Sequence, residues 1–294
     1  MGGGHIYRII EKERLSDEIV KIEVEAPLVA SKAVSGQFVM IRLREGGERI
    51  PLTISGCDPE RGTITIIFQE VGKTTLDLGR LKPGDSILNL AGPLGRPPEL
   101  KRFGTVVCVG GGVGIAPVLF RARVLKELGN RIISIIGARS RDMLILKEEM
   151  EEVSDRLYVT TDDGSLGQKG FVTDPLRDVL SDEQVDLVVA IGPIGMMKAV
   201  SGVAAEFGVK TAVSLNPIML DGTGMCGSCR VIVGGEVRFA CVDGPEFDGG
   251  LVDFDALLLR NRRYLEEEEI SLKRARGCES HEKAGSSKAY QELR

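Results

Sequence analysis

The chain has 294 residues, a net charge of −5, and is 43% hydrophobic and 28% charged. That length suits more than one domain with a sizeable core, and the acidic balance excludes the basic footprint of a nucleic-acid or anionic-membrane binder. No apolar run is long enough to span a bilayer, and the opening Met1-Gly2-Gly3-Gly4-His5 lacks the layout of a signal peptide, so a cytoplasmic protein is expected.

In chain order, 1–100 is expected to form an antiparallel β-barrel. Short β-branched runs at 19–24, 37–43, 63–68 and 86–90 are separated by turn signals such as Asp58-Pro59-Glu60-Arg61-Gly62 and Lys82-Pro83-Gly84-Asp85. Closure into a barrel hides the strand edges better than a sandwich. Over 101–215 the rhythm changes to unbroken apolar strands at 105–109, 131–136, 157–161, 185–191 and 210–214 with amphipathic helices between them. That alternation predicts a parallel sheet covered on both faces, an α/β nucleotide-binding domain. A third, small unit is expected at 216–250, with three glycines in its loop and a hairpin turning at Gly234-Gly235. The segment 251–294 is read as one helix over 253–272, with an acidic run at 266–269, followed by a polar, mobile tail.

The six cysteines are Cys57, Cys108, Cys226, Cys229, Cys241 and Cys278, and three of them fall within 226–241. Only two histidines are present, His5 and His281, near opposite ends in polar surroundings, so neither a histidine metal site nor a histidine acid–base catalyst is expected. Asp221-Gly222-Thr223-Gly224-Met225-Cys226-Gly227-Ser228-Cys229, followed by Cys241, has the plant-type [2Fe–2S] spacing with aspartate in place of the first cysteine. Glycines at 222, 224 and 227 permit the tight wrapping and close approach that such a loop needs. Thiolates suit iron, and Asp221 is expected to complete the set as a harder anionic ligand, the alternative being that it only lies beside a three-cysteine site. Structural zinc on the same four residues is the competing reading, since zinc ribbons also use a Cys-x2-Cys knuckle. Cys108, inside an apolar strand, is expected to be a buried small hydrophobe.

Two further segments point to nucleotides. Gly110, Gly111, Gly112, Val113 and Gly114 end a strand and open a helix, where free N–H groups and the helix dipole favour a pyrophosphate. Arg49-Ile50-Pro51-Leu52-Thr53 closes a barrel strand, offering a cation for a phosphate and a hydroxyl for a flavin edge. Gly72-Lys73-Thr74-Thr75 lies at a strand-to-helix junction with N–H donors for the same diphosphate.

An Arg-x-Pro-x-Thr barrel, a Gly-Lys-Thr turn, the Gly110–Gly114 run leading into Ile115-Ala116-Pro117, and Gly192-Pro193-Ile194-Gly195-Met196-Met197, in that order, resemble the ferredoxin–NADP reductase superfamily over about residues 5–272. The appended Asp/Cys3 unit is similar to the small subunits of NADH-dependent reduced ferredoxin:NADP oxidoreductases. Electron-transfer subunits of dihydroorotate dehydrogenase are the nearest cousins, and they carry cysteine where this chain has Asp221. The resemblance implies FAD held by Arg49, Pro51, Leu52 and Thr53, with Ile66, Ile67, Phe68, Gly72, Lys73, Thr74 and Thr75 near its adenine and diphosphate end. It implies NAD(H) over Gly111, Gly112, Val113, Gly114, Gly192, Pro193 and Met196, and a larger partner subunit carrying flavin and [4Fe–4S] centres. Through that complex the protein would reach ferredoxin and NADP(H) and bifurcate electrons; no acid–base catalyst is implied. Ala138-Arg139-Ser140-Arg141 offers groups for a 2′-phosphate, whereas Asp162 stands where plant-type reductases bind that phosphate through an arginine. A carboxylate there accepts from ribose hydroxyls and repels a 2′-phosphate, so NAD(H) is expected over NADP(H). The rivals are a dihydroorotate- or sulfide-linked reductase subunit, and a non-catalytic subunit with structural zinc.

Overall fold

The computed structural model describes residues 7–277; His5, Cys278, His281 and the tail beyond them lie outside the described residues. The first half is built from β1 (Tyr7–Arg14), β2 (Ile19–Glu25), α1 (Pro27–Ala30), β3 (Phe38–Arg42), β4 (Ile50–Asp58), β5 (Thr63–Gln69), α2 (Lys73–Arg80), β6 (Ser86–Ile87) and β7 (Asn89–Leu94). The strands pair antiparallel in the order β6-β1-β2-β5-β4-β3-β7. Their β-branched residues alternate across the pleat, so Val20, Ile22, Ile41, Ile54, Ile64 and Ile66 fill one interior. The expected strand over 86–90 is two strands, because the chain steps from one sheet edge to the other through Leu88 alone. The two edges therefore meet, and the barrel is nearly closed rather than sealed by a continuous ladder.

The second half contains β8 (Thr105–Gly111), α3 (Ile115–Glu127), β9 (Arg131–Ala138), α4 (Lys147–Val153), β10 (Arg156–Thr161), β11 (Gln168–Lys169), α5 (Thr173–Asp182), β12 (Leu187–Ile191), α6 (Ile194–Glu206) and β13 (Thr211–Ser214). It ends in β14 (Arg230–Val233), β15 (Glu236–Phe239), β16 (Glu246–Asp248), α7 (Phe254–Asn261) and α8 (Leu265–Gly277). The sheet order is β11-β10-β9-β8-β12-β13-β16, parallel except for β16. Val106, Val107, Cys108 and Val109 are fully buried because helices cover both faces. The chain order reverses between β8 and β12, which opens a crevice at the carboxyl ends of those strands.

Two further elements differ from expectation. Three-residue β16, set among glycine and proline, carries no alternation that could announce it; it exists because the sheet edge at β13 offers its ladder. The helix expected over 253–272 breaks into α7 and α8 around residues 262–264. Asp253 starts α7 by accepting from Ala256 N–H at 2.9 Å.

The hairpin β14–β15 has no core of its own. Cys229, Val231, Ala240 and Cys241 share one buried cluster with Val188, Ala190 and Val213 of the parallel sheet and with Phe38 and Met40 of the barrel. Among the described residues no helix is long and apolar enough to cross a membrane.

Candidate functional site

The loop from Asp221 to Cys229 is held by three glycines in the left-handed region, at φ of 81° for Gly222, 86° for Gly224 and 67° for Gly227. At Gly222 the requirement is also steric, since a Cβ would lie 2.6 Å from Met40 Cγ and 2.9 Å from Leu94 Cδ1. The loop thus rests directly on barrel strands β3 and β7. Asp221 organises it: Oδ1 accepts from Thr223 N–H and from Thr223 Oγ1 at 2.8 Å, and Oδ2 accepts from Cys226 N–H at 2.9 Å. The bonds from Thr223, then those from Cys226, hold its carboxyl well below the usual range, at about 2.

The proposed ligands fall into two pairs. Cys229 and Cys241 are buried with their sulfurs 3.2 Å apart, and Cys226 is exposed beside Asp221. Burial, and next the hydrogen bond with Cys229, push the Cys241 thiol up to about 12. Two facing buried thiols resist ionising alone and need a cation to become thiolates. Pairs of donors suit a two-iron cluster, which takes two protein ligands on each iron, better than one tetrahedral zinc. The donor set therefore fits [2Fe–2S], with Asp221 beside it in a loop-holding conformation. Cys108 is fully buried as expected, its thiol raised to about 12 by burial.

In the barrel, Pro51, Leu52 and Thr53 lie half-buried on β4, and Arg49 is exposed just before it. Gly72 caps α2, where its N–H donates to Thr75 Oγ1 at 3.0 Å, and Thr74 Oγ1 donates to Glu48 at 2.5 Å. Neither Arg49 nor Lys73 has an ion pair among the described residues, so two cations and the α2 N-terminus are available to a diphosphate. Ile66 and Phe68 are 0% and 2% exposed within the barrel core, and Ile67 packs under α3. Their side chains are spent on packing, which leaves only their backbone for a ligand.

The glycine turn sits at the crevice. Strand register sets Gly110 beside Ile191. A Cβ on Gly114 would lie 2.4 Å from the Ile191 carbonyl oxygen, and one on Gly111 would lie 2.4 Å from Met196 Sδ. Gly111, Gly192 and Met196 thus meet across the two strand ends, with Gly112 and Val113 in the turn and Pro193 capping α6. The turn bearing Asp162 lies on the same edge of the sheet: Asp162 N–H donates to the Ala138 carbonyl at 3.1 Å, and Arg141 donates to the Ser165 carbonyl at 2.9 Å. Helix α3 packs on β4, and Phe120 reaches the barrel core.

Sequence reasoning missed the surroundings of the cluster loop. A cavity of about 210 Å³ next to Cys226 is lined by Arg230, Arg260 and Arg263, which come from separate elements and carry no motif. Arg260 donates to the Ser228 carbonyl at 3.1 Å, and burial followed by repulsion from Arg230 and Arg263 lowers its pKa.

A family model for the iron–sulfur cluster binding domain of dihydroorotate dehydrogenase B matches residues 216–253, and one for the oxidoreductase NAD-binding domain matches 108–202. The chain is 50% identical to the dihydroorotate dehydrogenase B (NAD(+)) electron transfer subunit homolog of Thermotoga maritima, covering 93% of this chain and 97% of that one. It is 36% identical to a probable dihydroorotate dehydrogenase B electron transfer subunit of Methanopyrus kandleri, over 78% of this chain and 83% of that one. A solved structure of the NADH-dependent reduced ferredoxin–NADP oxidoreductase, described for flavin-based electron bifurcation, superposes with a TM-score of 0.88 at 49% identity, covering 93% of this chain and 99% of its own. This chain belongs to the family of dihydroorotate dehydrogenase B electron-transfer subunits and their homologues.

Proposed function

We propose that the chain is the FAD- and [2Fe–2S]-containing subunit of an oxidoreductase, exchanging hydride with NAD(H) and single electrons with a larger partner subunit. The observation that carries this reading is the convergence on β4. Helix α3 packs on β4 from the nucleotide side, its glycine turn reaches the neighbouring strand β5, and Gly222 rests on Met40, whose ladder partner is Pro51. Adjacent strands are about 4.8 Å apart, so the cluster loop and the nucleotide crevice flank the strand that would hold the flavin.

When bound, the flavin and the cluster supply the hydride and single-electron chemistry; the chain supplies placement. Arg49, Lys73 and the N–H groups opening α2 would hold the diphosphate of FAD, and Pro51, Leu52 and Thr53 its ring. Gly111, Gly112, Val113, Gly114, Gly192, Pro193 and Met196 would shape the dinucleotide cleft, and Asp162 would favour NAD(H) by repelling a 2′-phosphate. Asp221, Cys226, Cys229 and Cys241 would hold the cluster. The 49% identity and TM-score of 0.88 to the NADH-dependent reduced ferredoxin–NADP oxidoreductase structure support a ferredoxin- and NADP-linked partner, and aspartate at position 221 in place of the first cysteine is what favours it over a dihydroorotate-linked one.

The test is an anaerobic titration of purified protein with NADH, followed by visible absorbance and electron paramagnetic resonance. Flavin bleaching together with a cluster signal is expected, with NADPH much the poorer donor. A colourless, zinc-containing protein would sink the proposal, and equal use of NADPH would overturn the assignment of Asp162.

A further inference from the structure

Arg230 opens β14, Arg260 lies near the end of α7, and Arg263 follows in the turn before α8; together they line the cavity beside Cys226. No acidic side chain lines it. Among the described residues Arg230 and Arg263 have no side-chain hydrogen bond or ion pair, while Arg260 bonds only the Ser228 carbonyl. Many other arginines are paired with carboxylates: Arg14 with Glu70, Arg61 with Glu11 and Glu23, Arg131 and Arg156 with Glu183, and Arg177 with Glu206. Three unneutralised guanidiniums converging in a chain of net charge −5 mark a place built for an anion.

The size and rim of the cavity select the kind of anion. About 210 Å³ accommodates a side chain and is below the usual range for a nucleotide-sized ligand. Apolar groups that line it are exposed: Leu220 by 51% and Tyr264 by 42%. A free ion gains nothing from them, whereas a protein that inserts a carboxylate also covers them. Guanidinium forks match a carboxylate in two-point geometry.

We propose that the cavity framed by Arg230, Arg260 and Arg263 is a docking socket for a carboxylate side chain on the electron-exchanging partner protein. This rests on the reading that the adjoining loop carries the cluster. The socket fixes the register of the partner against Cys226, and the apolar rim excludes water around the ion pairs.

The cofactor-loaded full chain is tested by fluorescence anisotropy against a labelled peptide of glutamates flanked by leucines, with its glutamine and lysine counterparts. The glutamate peptide should bind about tenfold more tightly than the glutamine one. The double variant Arg230→Glu/Arg263→Glu should lose that preference and bind the lysine peptide instead, with absorbance and reduction by NADH unchanged. The socket is overturned if glutamate and glutamine peptides bind alike or not at all, if charge reversal has no effect, or if inorganic phosphate displaces the peptide at equal concentration. Absence of flavin or cluster absorbance in the wild type would instead count against the functional reading beneath it.

Discussion

Asp221 spends both carboxylate oxygens on its own loop, accepting from Thr223 and Cys226. Spacing alone marks it as a ligand; the structure adds a holding role that spacing could not disclose. The two roles separate by substitution. If Asp221 binds iron, Asp221→Cys keeps a [2Fe–2S] cluster with a shifted absorption spectrum and reduction potential, while Asp221→Ala assembles it poorly. If Asp221 only holds the loop, Asp221→Cys loses the cluster, while Asp221→Asn, which still accepts from Thr223, retains it with an unchanged spectrum. A neighbouring residue tests the contact with the barrel. Gly222→Ala must place a Cβ 2.6 Å from Met40 Cγ at φ 81°, and the left-handed conformation alone costs about 1–2 kcal/mol. The expected outcome is normal bleaching of flavin by NADH but slower reduction of the cluster in stopped-flow spectra. An unchanged cluster rate would mean that electrons do not cross where Gly222 meets Met40.

Among elements, α3 and β16 are joined by a buried pair. Arg121 is 2% exposed on α3; its Nη2 donates to the Glu99 carbonyl at 3.0 Å and to Glu246 of β16 at 3.3 Å, and its Nε and Nη1 are buried without a partner. The pair ties the nucleotide helix, the exit from the barrel and the strand returning from the cluster module. Removing one member of a buried pair costs about 3–5 kcal/mol, and replacing both by apolar residues is often neutral. Arg121→Met should therefore lower the melting temperature sharply, while Arg121→Met/Glu246→Leu should recover most of the loss. Burial raises the Glu246 carboxyl above its ordinary 4.5, against the opposing pull of Arg121. The native state then holds a proton that the unfolded chain has lost, so this group's contribution to stability falls as pH rises through the window just above 4.5. The melting temperature of Glu246→Gln relative to wild type should accordingly climb with pH across that window; a constant offset would show that Glu246 titrates normally. None of this could be read from sequence. Strong periodicity announced β8, α3 and β9, and the glycine spacing announced the loop at 221–229. Arg121 carries no motif that marks it as buried, three-residue β16 has no pattern, and the guanidiniums at 230, 260 and 263 meet only through tertiary packing.

At the scale of the molecule, the cluster module is part of the core of the nucleotide domain. Cys229 and Cys241 are packed in the same apolar cluster as Val188, Ala190, Val213 and Met197, with Phe38 and Met40 of the barrel closing its far side. A cluster bound to those sulfurs would stabilise every element that packs on them, because metal binding to a folded site is folding free energy. Removing iron should therefore lower the melting of the nucleotide domain and the module together, as one cooperative transition. For a chain of this size each kcal/mol lost corresponds to about 2–4 °C. Differential scanning calorimetry of cluster-loaded and chelator-treated protein, both with FAD present, makes the comparison. An independent module would give a small early transition that iron alone shifts, with the main peak unmoved. The shared core requires the main peak itself to move, because Val213 and Cys241 cannot part company without opening the same interior.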